Sequence, residues 1–131
     1  MDQFLTGVFP AFAANFGHRL PPGGMEIYEQ FLGHYATINQ SIAQRSPWTL
    51  AHQDFRVENL MFGDPGSGQV VVIDWQGIGR GAGAYDLGDV LGGSMEPEVR
   101  REHEQSLVQA YHDQLLASGV RDYGIDDLWE D

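Results

Sequence analysis

The sequence predicts a mostly helical α+β fold in which several helices pack around a small β-hairpin. Apolar residues recur at helical spacing in residues 25–44, in residues 84–91 and again after Pro97. Between the first two of these segments, a turn cluster at residues 63–68 precedes a β-branched run at residues 70–73, which is typical of a strand. A chain of 131 residues provides a core for one domain and is short for two.

Residues 1–24 are predicted to form a phenylalanine-rich segment and linker, and residues 25–131 form the main domain. Three phenylalanines of the first segment follow helical spacing, namely Phe9, Phe12 and Phe16. Pro10 is expected in a first helical turn, where its missing N–H is tolerated. The Pro-Pro-Gly-Gly sequence of residues 21–24 predicts a tight turn.

The segment from Met25 to Gln44 predicts an amphipathic helix with one buried face. Its apolar residues recur at intervals of three and four, namely Ile27, Phe31, Tyr35, Ile38 and Ile42. Ser46 and Pro47 are expected to end this helix because the residue before a proline is pushed away from helical angles.

Two helices and the beginning of a third are predicted toward the C-terminus. In residues 84–91, we expect Leu87, Val90 and Leu91 to face inward. The next helix opens at Pro97 and stops at Gly119. Its predicted buried stripe consists of Leu107, Val108, Tyr111 and Leu115. The acid-rich stretch of residues 126–131 is typical of the start of another helix. The glycine-dense residues 77–83 predict a loop.

The composition is acidic and contains no lysine. There are 19 acidic residues against seven basic ones, all of which are arginine, so the net charge is −12. Nucleic-acid binding needs clustered lysine and arginine to displace counterions, so we expect no nucleic-acid partner. Without lysine, the chain carries neither a Walker A loop nor a Schiff-base nucleophile.

Several further classes are disfavoured by what the sequence lacks. No apolar run approaches the roughly 20 residues of a membrane span, and no cysteine is present for disulfides or thiolate metal sites. The N-terminus lacks the basic start of a secretory signal, so we expect a cytoplasmic protein. Four histidines show no metal-ligand spacing and are expected at the surface, namely His18, His34, His103 and His112.

The chemistry of the chain is concentrated in residues 52–59, His-Gln-Asp-Phe-Arg-Val-Glu-Asn, and in the Ile-Asp-Trp sequence of residues 73–75. Phosphoryl transfer needs a carboxylate that accepts the proton of the attacking hydroxyl and oxygen ligands that fix Mg²⁺ on the phosphates. Asp54 meets the first need, while the amide oxygen of Asn59 and the carboxylate of Asp74 meet the second.

This pattern resembles the aminoglycoside and choline kinase-like phosphotransferases, and the ecdysteroid kinase-like branch most of all. There the loop is similar to H-G-D-x-x-x-x-N, and the metal aspartate ends an I-D-W or I-D-F strand. Residues 79–87 are similar to the G-x-x-x-Y-D-L-A segment of the family, and the resemblance extends from about Pro47 to Tyr123. It implies a protein-kinase-like C-lobe that uses ATP and Mg²⁺ to phosphorylate a hydroxyl of a small molecule.

The resemblance also implies individual roles. Asp54 would be the catalytic base, and Arg56 would contact the transferred phosphate. Asn59 and Asp74 would bind the metal and, through it, the nucleotide. The residues that would brace the catalytic loop are His52 and Asp86.

The residues themselves leave alternatives open for two of these roles. Asp86 would cap its own helix if it were only a helix-start acid. Arg56 would form a surface ion pair if it had no role in the chemistry.

The sequence departs from the family pattern in two respects. Gln53 replaces the usual glycine, which is expected to alter the backbone angles or narrow the substrate side. The glycine-rich strands, lysine and helix glutamate of an N-lobe have no counterpart before the loop, so we expect an isolated C-lobe cut at both ends. Such a lobe would self-associate through its exposed cleft face.

Three classes of function therefore remain from the sequence. The first is the phosphotransferase, for which the acidic charge favours a cationic alcohol as substrate. The second is a non-catalytic kinase-lobe fragment that acts as a binding module without turnover. The third is a divalent-metal hydrolase built on Asp54, Asn59 and Asp74.

Overall fold

A computed structural model describes residues 2–44 and 47–131 of the chain. The chain divides into two compact units, Met1–Gln44 and Arg45–Asp131. The fold is α+β and mostly helical, as the sequence predicts. The predicted domain boundary, between residues 24 and 25, lies within the first unit and stays a prediction.

The first unit is a pair of helices, α1 (Asp2–Phe16) and α2 (Gly24–Gln44), joined by a 3₁₀ turn and a tight turn. The helices meet through aromatic rings, because Phe9 and Phe12 stack on Tyr28 with centroids 5.3 and 5.0 Å apart. The predicted turn at residues 21–24 is confirmed, since Gly23 has φ +80° and the Gly24 N–H bonds the Pro21 carbonyl at 2.9 Å.

Two details of this unit differ from the sequence-based expectation. Pro10 lies inside α1 rather than in its first turn, because the helix already begins at Asp2. The apolar face of α2 is not buried, since Ile27 is 68 % exposed and Ile38 is 39 % exposed. Helix α2 ends at Gln44, and the predicted stop at Ser46 lies outside the described residues.

The second unit contains two antiparallel strand pairs. Strand β2 (Leu60–Phe62) pairs with β3 (Val70–Val72), which confirms the predicted hairpin. Strand β1 (Thr49–Ala51) pairs with β4 (Gly79–Gly81), which the sequence analysis assigned to a loop. The sequence does not predict this pairing, because the Gly-Arg-Gly sequence of β4 lacks the alternation of apolar and polar residues that is typical of a strand.

Three helices complete the second unit: α3 (Gly83–Gly93), α4 (Pro97–Ala117) and α5 (Ile125–Glu130). They enclose the hydrophobic core, which consists of Ala84, Leu91, Val108, Tyr123 and Leu128. The half-buried residues that pack against this core include Leu87, Val90, Tyr111 and Leu115. Within the described ranges, 2–44 and 47–131, no helix has both the length and the apolarity of a membrane span.

Two residues of α4 differ from the predicted pattern. Leu107 is 40 % exposed, because its neighbour Val108 occupies the buried position instead. His112 is 7 % exposed rather than at the surface, and its Nε2 lies 2.9 Å from the Tyr123 carbonyl oxygen. The helix stop at Gly119 is confirmed, since Gly119 adopts φ +94° after the last helical residue.

Helix α3 lies close to α4 because its first residue has no side chain. A Cβ at Gly83 would lie 2.8 Å from the Tyr111 hydroxyl oxygen, and the next nearest atom would be Thr49 Cγ2 at 3.4 Å. The Tyr111 ring is half-buried, so we expect that displacing its hydroxyl to admit a side chain at position 83 lowers stability.

The effect of Gly83→Ala on stability is expected to change sign with the residue at position 111. In the wild-type protein, the clash lowers the free energy of unfolding by roughly 1–3 kcal/mol. In a Tyr111→Phe background, the same change is neutral or stabilising by up to about 1 kcal/mol, because alanine favours a helix over glycine. A double-mutant cycle by urea denaturation measures this coupling. An equal loss in both backgrounds would contradict the close approach.

Candidate functional site

The β2–β3 hairpin brings Asn59 and Asp74 to the same end. Asn59 directly precedes β2, Asp74 follows β3 by one residue, and Leu60 pairs with Val72 in the register. The pairing continues one step further, because the Ile73 N–H bonds the Asn59 carbonyl at 3.0 Å. Asp74 is therefore the first residue beyond this last hydrogen bond.

The side chain of Asn59 is directed onto Asp54. Its Nδ2 donates to the Asp54 backbone carbonyl at 2.8 Å and to the Asp54 carboxylate Oδ2 at 3.0 Å. These two bonds use both amide hydrogens and fix the orientation of the amide. Asn59 is buried, and its Oδ1 has no hydrogen-bond partner among the residues that the structure describes. The Asn59 oxygen is thus the atom left for a ligand.

The other oxygen of the Asp54 carboxylate faces Arg56. Arg56 Nε lies 3.6 Å from Asp54 Oδ1 and 3.6 Å from Glu58 Oε2. The side chains are about half exposed, so these ion pairs contribute little to stability. Arg56 therefore has the surface ion pair that the sequence left open, and one of its partners is the candidate base. Glu58 was not singled out from the sequence.

Asp86, in the first turn of α3, holds the backbone of the loop that carries Asp54. Its Oδ2 accepts the His52 N–H at 2.7 Å, and its Oδ1 accepts the Gln53 N–H at 2.9 Å. The α3 N-cap, Ala82, forms no side-chain capping bond. Asp86 thus bonds to the backbone of the loop, and its role as a brace stays a prediction. Burial of the Tyr111 hydroxyl raises its pKa, and the nearby negative charge of Asp86 raises that pKa further.

His52 connects this loop to the exit of the hairpin. It is 1 % exposed, and its Nε2 lies 2.9 Å from the Ile73 carbonyl oxygen. Because a carbonyl only accepts, Nε2 carries the proton of this bond. The ring also meets the edge of Trp75 at 4.7 Å between centroids. Ile73, the residue before Asp74, is therefore hydrogen-bonded to His52, the first residue of the loop that carries Asp54.

Gln53 keeps the backbone conformation that glycine would favour. Its φ is +65°, in the left-handed region that glycine adopts without steric cost. A Cβ at Gly79 would lie 2.5 Å from Gln53 Nε2, so the Gln53 side chain lies over Gly79. The expected effects of Gln53 on the backbone angles and on the substrate side stay predictions.

Asp74 also has a left-handed backbone, with φ +62° and ψ +55°. Its carboxylate is exposed and accepts a long bond of 3.4 Å from Gln76 Nε2. The strand before it is exposed as well, since Val70 and Val71 are 50 % and 59 % exposed. Because Asp74 is exposed to solvent, its carboxylate does not need an ion-pair or metal partner to offset a cost of burial.

No group of three or more His, Cys, Asp or Glu side chains is placed to hold a metal ion within residues 2–44 and 47–131. The set formed by Asp54, Asn59 and Asp74 has only two carboxylates and one amide. Such a set suits Mg²⁺, which uses one or two protein carboxylates and takes its remaining oxygens from phosphates and water.

One support of the loop could not be found from the sequence. The Ser94 Oγ, at the end of α3, accepts the Val57 N–H at 2.9 Å across 37 residues of chain. A serine after two glycines indicates only a helix end, because nothing local in the sequence identifies so distant a partner.

Comparison with known proteins gives one match. The model of the ecdysteroid kinase-like family matches residues 3–121. The match includes every residue of the site described above. No curated protein and no solved structure matches the chain.

We expect Asp86→Ala to lower the free energy of unfolding by about 1–3 kcal/mol, because two backbone N–H groups lose a charged acceptor. Asp89→Ala is the matched control. Asp89 lies on the same helix and has no hydrogen-bond or ion-pair partner among the described residues. Urea denaturation of both variants measures the difference. Equal effects of the two changes would mean that Asp86 does not support the loop.

Proposed function

The chain belongs to the ecdysteroid kinase-like family, and on this premise we propose that it is an ATP- and Mg²⁺-dependent phosphotransferase acting on a hydroxyl of a small molecule. One observation carries the proposal. The Asn59 amide donates to the Asp54 backbone carbonyl at 2.8 Å and to one Asp54 carboxylate oxygen at 3.0 Å, so the candidate base and the candidate metal ligand are held together. Phosphoryl transfer requires this combination of groups.

Asp54 serves as the catalytic base in this proposal. Its carboxylate side chain is 41 % exposed, so a substrate hydroxyl has access to it. The bond from Asn59 orients one carboxylate oxygen, and Arg56 Nε lies 3.6 Å from the other. A positioned carboxylate that accepts the proton of the attacking hydroxyl contributes roughly 10²–10⁴-fold to the rate.

Mg²⁺, when bound with the nucleotide, would neutralise charge on the phosphates, and the residues that would hold it are Asn59 and Asp74. The Asn59 Oδ1 accepts no hydrogen bond from the described residues, and Asp74 follows the partner strand at the same end of the hairpin. Both are hard oxygen donors of the kind that Mg²⁺ selects. Arg56, with its exposed guanidinium, is the proposed contact for the transferred phosphate.

A cationic alcohol is the substrate class that the charge favours. The chain has a net charge of −12, and Glu58 and Asp54 lie together beside the single arginine of the loop. A negative field raises the local concentration of cations and speeds their association. An aminoalcohol therefore suits this surface better than a sugar phosphate.

A non-catalytic binding module is the second candidate. Protein kinases hold the phosphates with a lysine from a separate strand, and this chain contains no lysine. Such a module would keep the loop and hairpin as a scaffold without turnover. Because both candidates share this scaffold, binding and turnover must be measured separately.

Substitution of Asp54 and of Asp74 distinguishes their roles. We expect Asp54→Asn to reduce turnover by roughly 10²–10⁴-fold while nucleotide binding changes little, because Asp54 faces the hydroxyl. Asp74→Asn should instead weaken Mg²⁺-dependent ATP binding, because it removes a charged ligand of the cation. Calorimetric titration with ATP in the presence and absence of Mg²⁺ measures binding, and phosphorylation of a panel of aminoalcohols measures turnover.

Asp64→Asn is the matched control, since Asp64 lies in the exposed turn of the same hairpin. It should leave binding and turnover unchanged. Mg²⁺-dependent ATP binding without turnover of any alcohol would support the binding module. Hydrolysis of phosphate esters without ATP would support the hydrolase. Full turnover by Asp54→Asn would remove Asp54 from the mechanism.

A further inference from the structure

Helix α3 holds the catalytic loop at two separate points. Asp86, in its first turn, accepts the N–H groups of His52 and Gln53 at 2.7 and 2.9 Å. Ser94, directly after its last turn, accepts the N–H of Val57 at 2.9 Å. The two anchors are about 12 Å apart along the axis at about 1.5 Å per residue. Asp54 and Arg56 lie between the anchored residues.

The anchored N–H of Val57 opens the turn that ends in Asn59. Residues Val57–Asn59 form a 3₁₀ turn, and Arg56, at its N-cap, makes no side-chain capping bond. The first N–H groups of a helical turn have no partner within the turn. The Ser94 hydroxyl therefore supplies the cap from another element.

The same turn determines the position of the Asn59 side chain. The Asn59 N–H bonds the Arg56 carbonyl at 2.9 Å, and its amide bonds Asp54 at 2.8 and 3.0 Å. A rotation of the turn about its first residue would move the amide off the carboxylate. Ser94 is itself held, because its N–H bonds the Val90 carbonyl at 3.1 Å and closes the last turn of α3.

We propose that Ser94 is a positioning residue of the candidate site: its hydroxyl holds the turn that keeps the Asn59 amide on Asp54. The proposal rests on the phosphotransferase function, since only there does the Asp54–Asn59 pair meet a substrate. Ser94 touches neither base nor metal ligand and acts through Val57. Through Val57, the Ser94 hydroxyl determines the orientation of the Asn59 side-chain amide and hence the direction of its oxygen.

Amide hydrogen exchange and the side-chain amide signal of Asn59, both measured by NMR, test the proposal without any turnover. In Ser94→Ala, the Val57 amide is expected to exchange about 3–10-fold faster, which corresponds to the loss of one hydrogen bond. The Asn59 side-chain amide signal is expected to shift at the same time. Ser94→Thr keeps the hydroxyl and should restore both observations.

Ser106→Ala is the matched control, because the Ser106 hydroxyl bonds the His103 carbonyl at 2.8 Å on an exposed turn of α4. It should change neither the Val57 exchange rate nor the Asn59 signal. Where turnover is measurable, Ser94→Ala should lower kcat by a similar 3–10-fold while KM changes by less than about twofold.

Three results would overturn the proposal. The first is a Val57 amide without protection in the wild-type protein, a result that does not depend on whether Ser94→Ala folds. The second is faster Val57 exchange with an unmoved Asn59 signal, and the third is failure of Ser94→Thr to restore both. Absence of ATP binding and turnover in the wild type would instead refute the proposed function, and the NMR result would still show whether Ser94 positions the pair.

Discussion

The carboxylate of Asp86 is the acceptor on which the geometry of the candidate site depends. It binds two successive backbone N–H groups at the point where the chain enters the loop, and one of them belongs to Gln53 with its left-handed backbone. A left-handed conformation at a residue other than glycine costs about 1–2 kcal/mol. Charge-assisted bonds to a half-buried carboxylate are strong enough to maintain it. Asp54 is the next residue in the chain, so the direction in which its side chain leaves the backbone depends on these two hydrogen bonds.

The helix that carries Asp86 also belongs to the core, and this couples the site to the stability of the second unit. One side of α3 contributes Ala84 and Leu91 to the core, while Asp86 faces the loop. By contrast, the hairpin strands are largely exposed, and the hairpin is tied to the loop through His52 and its bond to the Ile73 carbonyl. The positions of the candidate site residues therefore depend on a few hydrogen bonds rather than on hydrophobic packing around them.

This division explains how much could be predicted from the sequence. Local spacing identified the hairpin, the three C-terminal helices, and the Asp54 and Asn59 pair, because residues five apart on a short loop can meet. Strand β4 and Ser94 were missed because their partners are distant in sequence and their own residues carry no pattern. Leu107 was assigned to the core wrongly, since it and Val108 both fit the helical spacing and only the packing of α4 against its neighbours decides between them.

Two residues of the candidate site have left-handed backbone conformations, and both candidate functions share them. Gln53 and Asp74 adopt φ of +65° and +62° at the entrance to the loop and at the exit of the hairpin. Asp74 is exposed, and its carboxylate has only a long bond to a neighbouring glutamine. A strained backbone persists where its surroundings fix it and is frequent where a side chain must point in one direction. Aspartate adopts left-handed angles more readily than most residues, because its short polar side chain can hydrogen-bond locally. If Asp74 directs its carboxylate toward a cation shared with Asn59, the same geometry serves a phosphotransferase and a module that binds Mg²⁺ and ATP. The two functions differ at Asp54, since only turnover uses a base.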